Sequence, residues 1–209
     1  MSNIWDEFKK RYPDAILDTD GIVDEKLYRQ EKTKILFILK ETNELNGSLC
    51  EFLKNGAPNN GRKTWQPCCK WASAILDGTC EQFRSEEERK GILRRIAAIN
   101  LKKISGKSQS SNSYIEWAEK NTDLLKRQIL EIDPQIIILC CNKKGKRFIG
   151  KQLLDDITCS SDPKVPSLNT AKWNDRLIIS ARHPLFAANR WIEDFKKFHH
   201  HYIACKKQS

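Results

Sequence analysis

The chain has 209 residues, 39% of them hydrophobic and 31% charged, which is enough for one well-buried core. It has no run of about 18 apolar residues and no basic-then-apolar leader, so it reads as a single-domain, non-membrane, cytoplasmic protein. A formal net charge of +10 favours a polyanionic partner and says nothing about the fold.

Residues 4 to 12 place Ile4, Trp5 and Phe8 on one helical face, and Pro13 ends the pattern. Asp18 to Gly21 is turn-rich and Glu25 to Glu31 weakly helical, so residues 1 to 33 read as an N-terminal helical extension. The continuous apolar run Ile35 to Leu39 is expected of a central parallel strand covered on both faces. A helix is predicted from Ser48 to Leu53, followed by a loop from Asn55 to Lys63. The basic end of that loop, Arg62 and Lys63, suits contact with phosphate; a solvated connector is an equal alternative.

Helices over Trp65 to Leu76 and Ser85 to Arg95 lead into a second strand, Ile96 to Leu101. Lys102 to Asn112 is a polar loop, and Ser113 to Ile132 reads as one long helix stopped by Asp133-Pro134. Gln135 to Cys141 is the third strand, and a helix then runs to about Leu154. Residues 158 to 174 read as mostly loop with room for one short strand, before a fourth strand, Leu177 to Ala181, and a final helix, Ala187 to His201. Strands alternating with helices imply right-handed crossovers and a three-layer α/β/α fold with a four-stranded, mainly parallel central sheet.

The eight cysteines show no C-x-x-C spacing. Adjacent pairs at Cys68-Cys69 and Cys140-Cys141 read as buried free thiols, with an iron–sulfur cluster on Cys50, Cys68, Cys69 and Cys80 as the alternative. His199 to His201 read as surface residues, because neighbours on a helix diverge by about 100°.

In parallel sheets ligands gather outside the carboxyl ends of the strands. The first strand leads to Glu41, Thr42 and Asn43, and the second ends at Asn100 before Lys102 and Lys103. The third leads to Asn142 and Lys143, and the fourth to His183. One acid, several amides, one histidine and many cations are thereby directed to one crevice.

On these residues the chain resembles the uracil-DNA glycosylase superfamily over roughly residues 34 to 198. ILFILKETN is similar to that family's strand and G-Q-D-P or G-M-N-P motif, with Glu41 at the water-positioning acid or amide. Leu39 stands in place of its Gly, and Thr42 in place of its Pro. AAINLKK places Asn100 where the family reads the base, and His183-Pro184-Leu185-Phe186 with Arg190 is similar to its H-P-S-P-L-S motif without the second proline.

The resemblance implies a DNA glycosylase acting on single- or double-stranded DNA without metal or cofactor. It assigns Glu41 and His183 to catalysis, and Asn100, Asn43 and Phe52 to the base. Lys102, Lys107, Arg190, Arg62 and Lys63 would hold the DNA backbone. The alternative is a module of the same fold that binds nucleic acid without chemistry.

Overall fold

The computed structural model describes residues 3–58, 61–79, 85–106, 113–155, 157–161, 169–181 and 184. In chain order the elements begin with α1 (Ile4–Arg11), β1 (Gly21–Ile22), α2 (Glu25–Gln30), β2 (Ile35–Leu39), α3 (Leu49–Lys54), α4 (Arg62–Leu76), α5 (Glu86–Leu93) and β3 (Ala97–Asn100). They continue with α6 (Ser113–Lys120), α7 (Thr122–Ile132), β4 (Ile136–Leu139), α8 (Lys143–Phe148), a π-helical turn (Ile149–Leu153), β5 (Thr158–Ser161), β6 (Asn169–Trp173) and β7 (Arg176–Ser180).

All strands of the described residues join one sheet in the order β1-β3-β2-β4-β7-β6-β5. The four apolar runs are its centre, and they are mutually parallel: β2 pairs with β3 and β4, and β4 with β7. The expected four-stranded sheet is therefore extended to a seven-stranded mixed one. Its two flanks are antiparallel, β1 on β3 at one side and β5-β6 on β7 at the other. The stretch expected as mostly loop supplies β5 and β6. Their composition, TCSS and NTAKW, lacks the continuous apolar run that marks a covered strand.

Each central strand is covered on both faces. Ile35, Phe37 and Leu39 point into one cluster with Leu53, Trp65 and Ile75, whereas Leu36 and Ile38 point into another with Phe8, Leu125 and Ile129. Burying each such side chain contributes about 1.5–3 kcal/mol. Residues 1 to 33 are not an appendage: α1 and Tyr28 pack in the second cluster, and β1 extends the sheet.

The helix expected over 113–132 divides at Asn121, whose buried side chain donates to Trp117 O and to the Tyr12 hydroxyl, both at 2.7 Å. An asparagine that bonds the preceding turn competes with the helix ladder. Likewise, the helix after β4 ends in the π-helical turn. Among the described residues no helix is long and apolar enough to cross a membrane.

The direction of α4 matters for the site. Its Cys68 thiol meets Cys140, just past the carboxyl end of β4, and its C-cap Asp77 accepts from Arg95, just before the amino end of β3. The helix thus runs against the parallel strands, and Gly61 to Lys63 lie towards their carboxyl ends.

Candidate active site

Parallel pairing aligns Leu39 with Asn100 and continues outward, with Leu101 N donating to Leu39 O at 3.1 Å and Lys102 N to Lys40 O at 2.9 Å. The next side chains out are Glu41 and Lys102. The Lys102 ammonium lies 3.1 Å from Glu41 Oε2, with 16% and 6% of the respective side chains exposed. Lys102, expected on the DNA backbone, therefore has a carboxylate partner. Asn100 is 3% exposed, and its backbone N–H donates to Asp20 at 2.7 Å.

Glu41 rests on a glycine. A Cβ at Gly106 would stand 2.4 Å from Glu41 Cδ and within 2.7 Å of both carboxylate oxygens, so only Gly permits this approach. Gly106 N donates to Thr42 O at 2.8 Å, and Gly106 forms an isolated parallel bridge with Asn43. Asn43 itself is exposed, on a loop whose Glu44 and Asn46 hold positive φ of 50° and 49°. Such left-handed backbone costs about 1–2 kcal/mol per non-glycine residue, and the Ser105 hydroxyl holds it by accepting from Leu45 N at 3.0 Å and Asn46 N at 3.2 Å.

Two acids that the sequence pattern marks only as turn residues organise this region. Asp18 accepts hydrogen bonds from the Thr42 and Ser105 hydroxyls and, at 2.9 Å, from Gly47 N. Asp20 accepts from Asn100 N at 2.7 Å, from the Lys103 ammonium at 2.7 Å and from the Gln128 amide at 2.9 Å. Lys103 is fully buried, and it also donates to Gln128 Oε1 at 2.8 Å. Burial pushes the Asp20 carboxyl up and the Lys103 ammonium down from their ordinary values, while their mutual attraction opposes both shifts. Lys103, expected among the cations of the crevice, is thus a core residue.

Phe52, on α3, is half-buried against the first core cluster, and its ring edge fills the space where Gly61 lacks a Cβ. Lys63 is exposed in the first turn of α4, not in a loop; Arg62 opens that helix. The preceding loop is braced by the buried Arg89, which donates to Gly56 O at 2.8 Å. Asn142 caps α8, accepting from Gly145 N at 3.1 Å and from the Tyr114 hydroxyl, while Lys143 and Lys144 beside it are exposed. Arg94 and Arg95 are matched by Asp24, and by Glu31 and Asp77, at the opposite edge of the sheet.

His183, Lys107 and Arg190 lie outside the described residues, as do Leu185, Phe186, Cys80 and His199 to His201. Cys68, Cys69, Cys140 and Cys141 are buried free thiols. Among the described residues no group of three or more His, Cys, Asp or Glu could hold a metal ion. The structure therefore places Glu41, Asn100 and Lys102 at the carboxyl ends of β2 and β3, with Glu41 and Lys102 in contact and Asn43 exposed beside them. Compared with known proteins, the chain matches no family model and no curated sequence.

Proposed function

We propose that the protein is a DNA glycosylase-like hydrolase that cleaves the N-glycosidic bond of a flipped-out uracil or other deaminated or modified base. The observation that carries this reading is that Glu41 and Asn100 both stand at the carboxyl ends of two paired parallel strands, Glu41 two residues beyond the Leu39 that pairs with Asn100. Cleavage develops positive charge on the sugar and negative charge on the departing base, so it calls for a carboxylate beside one and hydrogen-bond donors beside the other. Glu41 supplies the carboxylate and orients water. The amide of Asn100 supplies a donor and an acceptor for the base edge, and Phe52 a face for stacking. His183 donates to the base carbonyl in this reading.

The Glu41–Lys102 ion pair favours a second reading, because a carboxylate already matched by an ammonium is a weaker partner for a sugar cation. The protein would then bind nucleic acid without cutting it. Abasic-site formation decides between the two, on single- and double-stranded oligonucleotides carrying uracil, hypoxanthine, xanthine or modified cytosine. The glycosylase reading expects release from at least one substrate and its loss in Glu41→Gln and His183→Ala. Binding without release from any of them, weakened by Lys102→Ala and Arg190→Ala with a flatter salt dependence, overturns it in favour of the second reading.

A further inference from the structure

We infer that Asp18 and Asp20 are the positioning residues of this site, Asp18 for the loop that carries Glu41 and Asp20 for the backbone that carries Asn100. The inference rests on the site assigned under the proposed function. Thr19, between the two acids, bridges to Ser48, its N–H donating to Gly47 O at 3.0 Å and its carbonyl accepting from Leu49 N at 2.7 Å. Both are buried, and both accept hydrogen bonds from the segments at the carboxyl ends of β2 or β3, Asp20 also from Gln128 on α7.

Asp18 ties Thr42 and Gly47, at the two ends of the loop after β2, to Ser105 after β3. Its own N–H adds a bond to Lys103 O at 2.7 Å. Asp20 holds the Asn100 N–H directly, and Lys103 and Gln128 fix the carboxylate from the other side. The acids therefore act on different groups, and their variants should fail differently.

Misplacing a reacting group by about 1 Å costs roughly a hundred-fold in rate. Asp18→Asn, which loosens the Glu41 loop, is expected to lower kcat for base release by about that factor with little change in KM. Asp20→Asn is best made together with Lys103→Met, because a buried ammonium left without its counter-charge threatens the fold. That double variant loosens Asn100 and is expected to raise KM by about ten-fold and to blur discrimination between bases.

Amide hydrogen exchange reads the same division without catalysis. Asp18→Asn speeds exchange at Leu45, Asn46 and Gly47 by about ten-fold or more and spares Asn100 and Leu101; the double variant does the reverse. If Asp18→Asn does not fold, Thr42→Val removes one hydroxyl donor to Asp18, leaves Ser105 on Leu45 N and Asn46 N, and is read in the same way. Crossed patterns support the inference, whereas equal acceleration at both segments, or none, overturns it. A wild-type protein that releases no base defeats the glycosylase reading alone, and the exchange pattern still decides the positioning.

Discussion

The Lys102 ammonium and the Glu41 carboxylate, on adjacent strand ends, form a 3.1 Å ion pair that is largely withdrawn from water. Removing one partner leaves the other poorly solvated. Lys102→Met is therefore expected to destabilise the fold by about 1–3 kcal/mol, and Lys102→Met with Glu41→Gln to recover part of that loss. Urea unfolding of the wild type, both single variants and the double variant measures the coupling; strictly additive losses would show that the pair contributes nothing.

The Asp20–Lys103 pair is more deeply buried, so breaking it should be more damaging. Lys103→Met alone is expected to cost about 3–5 kcal/mol, because it strands a buried carboxylate. Neutralising both partners should be milder than neutralising either one. Thermal unfolding midpoints of the three variants test that order.

At Gly106 a methyl group would overlap the Glu41 carboxylate. Gly106→Ala is expected to cost about 1–3 kcal/mol and to displace Glu41 from Lys102. A crystal structure of the variant with Glu41 unmoved, together with unchanged stability, would contradict the close approach.

Acid sensitivity should arise at the opposite edge of the sheet. A hydrogen bond from Arg94, supported by Leu27 N–H, holds the Asp24 carboxyl below its ordinary value of 3.8. Because its folded value is the lower one, its contribution is complete above about pH 4 and is lost as pH falls through the folded value. Asp24→Asn should therefore narrow the stability gap from wild type below pH 4 while remaining less stable at pH 7. Chemical denaturation from pH 2 to pH 7 measures that gap.

The thiols should be slow to react. Burial pushes Cys50, Cys69 and Cys141 up to about 12, and Cys68 is raised well above its ordinary value. Thiolate is the reactive form, so these four should resist alkylation at pH 8 until the protein unfolds. Mass spectrometry of iodoacetamide-treated native protein gives the extent at each position.

The central strands were legible because an unbroken apolar run of strand length has few other places to go than a sheet covered on both faces, as Ile35–Leu39 and Ile136–Leu139 do. The flanking strands were not, since β1 has two residues and β5 is rich in serine; pairing to a formed neighbour stabilises them more than their own composition does. Glu41 and Asn100 were found from their place after those runs. Asp18 and Asp20 were missed because Asp next to Gly signals a turn, although their spacing of two residues is also that of one face of an extended chain. Nothing local marks Lys103 as buried and Lys102 as its half-buried neighbour; only the distant partners Asp20 and Gln128 distinguish them.

The tether between Asp20 and the end of β3 also bears on how the protein is made. Asp20 meets Lys103 across 83 positions and Gln128 across 108, so during synthesis it leaves the ribosome long before its partners exist. Until then Ile4 and Phe8, too, lack the surface of α7 that later covers them. These residues thus settle only after the later ones have been made, and until then the nascent chain carries an exposed apolar segment and an unmatched acid.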